Sequence, residues 1–169
     1  MITYINKGRG LFVALEQAGL HLAYSNGAWS YNPSDEVAIQ NIINSYNPLP
    51  YEQAQAIAQI NTAIQAKLAK VTAGYPDLEV ATWPQQVAEA QAFTANSAAA
   101  TPILSAISTA SGQTVAALAA TVMTKTAAYT AASGAAVGQR IALSAPIYAA
   151  TDWTTIAGLT ATALAAIGV

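Results

Sequence analysis

The sequence predicts an α+β fold: a small N-terminal module of strand, helix, hairpin and helix, followed by a mainly α-helical, alanine-rich region. Three observations predict it. Asn26-Gly27 stands between two short alternating runs, and that pair best tolerates the positive φ values of a type I′ hairpin turn. Apolar residues elsewhere recur at helical spacing, from Leu11 to Ile167. Charge also thins out along the chain. Its 169 residues include six Lys plus Arg and eight Asp plus Glu, yet from Ala98 onward only Lys125, Arg140 and Asp152 are charged, in a stretch about one-third alanine. The expected divisions are residues 1–48 for the module, 49–100 for a helical hairpin and 101–169 for the Ala/Thr-rich helices.

Ile2, Tyr4 and Ile5 predict a short first strand, and Gly8 and Gly10 punctuate the turn into a helix carrying Leu11, Phe12, Leu15 and Ala18. Gly19 is its expected stop. In the hairpin, a two-residue turn sets Ser25 opposite Ala28, Tyr24 opposite Trp29 and Leu22 opposite Tyr31. That places three aromatics and a leucine on one face and pins the register. Ser34 is a natural N-cap, with Asp35 and Glu36 in the first turn, where the helix dipole favours negative charge. The stripe Ile39, Ile42, Ile43, Tyr46 should pack on the aromatic face, and Asn47-Pro48-Leu49-Pro50 ends the module.

From Tyr51 the pattern is helical, with Ile57, Ile60, Ile64, Leu68 and Val71 in one stripe until Gly74-Tyr75-Pro76 breaks it. Thr82 and Gln85 have capping-box spacing with Pro84 in the first turn, so the next helix should start there and pack antiparallel through Trp83, Val87, Ala90 and Phe93. Thr101-Pro102 opens a helix bearing Ile103, Leu104 and Ile107, stopped at Ser111-Gly112. Thr114 caps the next, which carries Val115, Leu118, Val122 and Tyr129 as far as Gly134. Val137, Ile141, Leu143 and Tyr148 mark another, kinked or ended by Pro146. Asp152 caps the last, with Trp153, Ile156, Leu159, Leu164 and Ile167.

Composition excludes several function classes. With no cysteine there are no disulfides, thiolate nucleophiles, zinc fingers or iron-sulfur clusters, and the compartment stays open. A net charge of -2 and a pI near 5.1 argue against a nucleic-acid partner, which calls for a basic face. The cations Lys7, Arg9, Lys67, Lys70, Lys125 and Arg140 are scattered. Met1 to Gly10 lacks the apolar core and cleavage site of a signal peptide, so no export signal is expected. Ile156 to Val169 is only 14 residues with two threonines, so no membrane partner is expected either. The positive mean hydropathy reflects alanine.

The search for catalytic, cofactor-binding and metal-ligating residues returns none. The single histidine, His21, falls on the hairpin face opposite Leu22 and Tyr24, away from any nucleophile it could serve as base. Lys67 and Lys70 fall on the polar side of a helix. Asp35 and Glu36 read as first-turn helix residues, Asp77 and Glu79 as loop solvation, and Glu52 and Glu89 stand apart, leaving no carboxylate pair for glycoside cleavage and no metal cluster. Gly8-Arg9-Gly10 lacks the third glycine of a dinucleotide fingerprint and the Gly-Lys-Ser/Thr of a Walker loop, so it reads as a tight turn. Tyr24, Trp29 and Tyr31 could stack sugars or bases, but core is their favoured role. The charge-poor half has two readings: a close-packed array of small side chains, or a surface that a partner covers.

The segment INKGRGLFVALEQAGLHL, followed by NGAWS and SDEVAIQNIINSYNP, resembles the N-terminal part of small proteins encoded beside tail-fibre genes in tailed bacteriophages and prophages. TPILSAISTASG and LAATVMTKTAAYTAASGAAVGQR are similar to the C-terminal part of tail-fibre assembly and related tail accessory proteins. The resemblance implies a non-enzymatic assembly chaperone or accessory subunit that binds the tail fibre or receptor-binding protein, helps it trimerise and sometimes stays attached. It implies no catalytic residue and no cofactor. A homo-oligomer is a further expectation, as is residence in the host cytoplasm during assembly or in the virion tail. This chain carries less charge on its C-terminal helices than the family pattern, which fits permanent burial in a particle. The alternative is therefore a structural virion component, a tail adaptor or fibre-bracing subunit.

Overall fold

The computed structural model describes residues 1–168, and its chain is mostly helical, 72% of it, with one small antiparallel hairpin near the N-terminus. Contacts divide it into two compact units, Met1–Ile60 with the chain from Leu143 onward, and Asn61–Ala142.

In the first unit, α1 (Gly10–Gln17) ends where expected. Gly19 has φ +72°, and the N–H groups of Gly19 and Leu20 donate to the carbonyls of Glu16 and Leu15, the paired bonds of a Schellman stop. Strands β1 (Ala23–Ser25) and β2 (Ala28–Ser30) pair with Tyr24 opposite Trp29, and Asn26 and Gly27 take φ of 52° and 81°. The hairpin register is the one the Asn-Gly turn predicts. A 3₁₀ turn (Pro33–Asp35) leads into α2 (Glu36–Ser45). Ser34 is not the cap: Asn32, two residues earlier, caps the 3₁₀ turn, its side chain accepting from the Ser34 N–H at 3.2 Å. Ile39 and Ile43 of α2 are fully buried with Leu11, Leu15, Leu22 and Ile2, and Trp29, Tyr31 and Phe12 pack around them.

The expected first strand does not form. Ile2 is buried and Tyr4 packs against Trp29 in a tilted pair with ring centroids 4.3 Å apart, but the segment has no strand partner. The Gln40 side chain of α2 takes that place, accepting from the Thr3 N–H at 2.8 Å and donating to the Thr3 carbonyl at 3.1 Å. A side-chain amide carries the same donor and acceptor as a peptide group, so the backbone is satisfied without a ladder.

Helix α3 (Leu49–Ala69) begins earlier than Tyr51 because Pro50 lies in its first turn, where its missing N–H has no intrahelical partner to lose. At the other end of the chain, α7 (Ile156–Ile167) follows a 3₁₀ turn (Trp153–Thr155) capped by Asp152, which accepts from the Thr154 N–H at 2.9 Å. Ile156, Ala163 and Ile167 face inward.

The second unit holds α4 (Asp77–Ala95), α5 (Pro102–Ser111) and most of α6 (Val115–Ala149). One helix start, one cap and one break differ from expectation, while α5 opens at Pro102 as expected. Helix α4 starts at Asp77, which puts Asp77 and Glu79 in the dipole-favoured first turn; Thr82 lies inside the helix, its hydroxyl donating to the Glu79 carbonyl at 2.7 Å. Thr101 makes no cap; Glu89 of α4 does, accepting from the N–H groups of Ile103 at 3.2 Å and Leu104 at 2.9 Å. Gly134 does not end a helix, because it does not take the positive φ of a helix stop and lies in an alanine-rich run, so α6 runs on for 35 residues. Thr114 caps it as expected, accepting from the Ala117 N–H at 3.2 Å. Ala90, Leu104 and Ala119 form this unit's core, with Phe93, Val115, Leu118, Val122 and Met123 against it.

Pro146 falls in the last turn of α6, which belongs to the first unit. There the Gln53 side-chain amide donates to the carbonyl of Ile147 at 2.9 Å and reaches those of Tyr148 and Ala150. It adds a donor at a helix end, where intrahelical partners run out; the Ile147 carbonyl also accepts from the Ala150 N–H at 3.3 Å.

Candidate functional site

The structure gives most of the residues weighed for chemistry a structural task. His21 is exposed just before β1. Lys7 donates to the carbonyls of Asn44 at 3.1 Å and Tyr46 at 2.7 Å, placing an ammonium at the negative C-terminal end of α2. Lys67 donates to Gln139, and Lys125 donates to the Tyr75 hydroxyl at 3.2 Å with its nitrogen 5.3 Å from the ring centre. Glu36 pairs with the N-terminal ammonium of Met1 and accepts from the Tyr31 hydroxyl at 2.9 Å. The ammonium first, and then the hydroxyl, hold the Glu36 carboxyl below the usual glutamate range; the same bond raises the Tyr31 phenol. Bonds from the Thr154 N–H and hydroxyl lower Asp152, and burial raises Tyr46.

Gly8 and Gly10 serve packing. A Cβ at Gly8 would come within 2.8 Å of a Glu52 oxygen, and one at Gly10 would strike the Tyr46 hydroxyl and lie 2.6 Å from the Tyr51 ring. The side chains of Tyr46 and Tyr51 thus lie against the start of α1. Among the described residues there is no group of three or more His, Cys, Asp or Glu that could hold a metal. No single described helix is long and apolar enough to cross a membrane.

A shallow cleft of about 280 Å³ lies between α3 and α7, with Glu52, Gln55 and Gln59 on one wall and Ile156, Thr160 and Leu164 on the other. The Thr160 hydroxyl already donates to the Ile156 carbonyl at 2.8 Å.

The feature without an internal explanation is the outward face of α6 in the second unit. Gly134, Val137, Gly138 and Ile141 share one face by their i, i+3, i+4, i+7 spacing. Val137 is 47% exposed and Ile141 56%. Ala136, next to Val137 on the helix, is 3% exposed and faces inward. Nothing lies within 4 Å of a Cβ built at Gly134 or Gly138. Just before this stripe, every residue from Ala127 to Ala132 is exposed, Tyr129 included. Tyr148, further along the helix, is 65% exposed. Periodicity alone does not place this face, because alanine and threonine on the other sides blur the pattern. The usable signal is the glycine pair at a spacing of four in an alanine-rich helix.

Compared with family models, curated proteins and solved structures, the chain matches none.

Proposed function

We propose that the chain is a non-enzymatic contact protein, an assembly chaperone or accessory subunit of a phage tail fibre or receptor-binding protein. The outward stripe Gly134, Val137, Gly138, Ile141 is the observation that carries the reading. Glycine at an exposed helix interior costs about 1 kcal/mol relative to alanine. Two such glycines, with no neighbour in the chain that needs them, suit a face against which another backbone lies close, and the flanking Val137 and Ile141 supply apolar area for that contact. The fibre as partner comes from the resemblance of the Ile5–Pro48 and Thr101–Arg140 segments to tail-fibre assembly proteins.

The second reading, a structural component retained in the virion, is favoured by a separate observation. Helix α6 carries only Lys125 and Arg140 as charged residues over 35 positions. So few ionic groups suit lasting cover better than repeated release into water.

Co-expression with the fibre gene tests the contact. Co-purification and a higher yield of fibre trimer are expected; a fibre that trimerises equally well alone and never co-purifies ends the proposal. Mass spectrometry of purified particles then separates the two readings. A released chaperone is missing or substoichiometric, whereas a retained subunit is present in a fixed ratio to the fibre.

A further inference from the structure

We draw no further inference here: the strongest candidate, the shallow cleft between α3 and α7, has Glu52 as its one charged wall residue and a Thr160 hydroxyl already bonded to the Ile156 carbonyl, and nothing in the structure shows what would fill it.

Discussion

At Gly10 the absence of a side chain is a packing requirement, and at Gly134 and Gly138 it is not. A methyl at Gly10 would collide with the Tyr46 hydroxyl, just past the end of α2, and with the Tyr51 ring, in the first turn of α3. Overpacking of this kind costs about 1–3 kcal/mol. Gly10→Ala should therefore lower stability by that amount in urea denaturation, while Gly134→Ala and Gly138→Ala should each raise it by up to about 1 kcal/mol, since alanine is the better helix former and the space is open. Equal effects at all three positions would show that the contacts at Gly10 are not tight. Acid exposes a second set of residue-level contacts. Glu36 and Asp152 both titrate below their ordinary ranges in the folded chain. A depressed folded value means a contribution present above the unfolded value and lost as pH falls through the folded one. The denaturation midpoint should therefore drop as pH falls below the usual carboxylate range. Glu36→Gln and Asp152→Asn should each flatten that drop. An unchanged slope in the double variant would remove these two groups as its source.

Among the elements, α5 depends most on a residue outside itself. Its first-turn N–H groups at Ile103 and Leu104 are met by a carboxylate from α4, and Glu89 is itself 7% exposed and receives a bond from Gln85. Hydrogen bonds to a charged group are worth about 1.5–3 kcal/mol each, and a donor left buried without a partner carries a comparable penalty. Glu89→Ala should destabilise the protein by about 2–4 kcal/mol and Glu89→Gln by less, because the amide keeps one acceptor oxygen. Thr101→Ala should cost under about 1 kcal/mol, since the Thr101 hydroxyl meets only the Ser105 hydroxyl at 3.0 Å. A larger loss at Thr101 than at Glu89 would return the cap to the local residue. This helix start also shows which parts of the fold are legible in sequence. The Asn26-Gly27 turn, the Gly19 stop and the Thr114 and Asp152 caps are decided by residues within a few positions, and each is found where the pattern puts it. The cap on α5 comes from Glu89, 14 residues before Ile103, and the partner of the Thr3 backbone is Gln40, 37 residues away. No local motif announces either. In α6 the difficulty is different: Ala136 and Val137 are adjacent, and only the packed structure decides that the methyl turns in while the larger side chain turns out.

For the molecule as a whole, stability and the proposed contact draw on different residues, which makes them separable by experiment. The core of the first unit is built on Leu11, Leu15, Ile39 and Ile43, and that of the second on Ala90, Leu104 and Ala119; the outward stripe of α6 belongs to neither. Val137 and Ile141 are already about half hydrated, so replacing both with aspartate removes little buried area. Substitutions at such positions change stability within about 0.5 kcal/mol each. A contact face behaves otherwise, because two carboxylates brought against an apolar partner must lose their water without gaining an opposite charge. The Val137→Asp/Ile141→Asp protein should melt within a few degrees of the parent by circular dichroism, yet no longer co-purify with the fibre. Ile147→Asp gives the contrast: this side chain is 0% exposed, and a charge there should unfold the chain outright. Undiminished co-purification by the double aspartate variant, with its fold intact, would move the contact off α6 and leave the glycine pair without a reason.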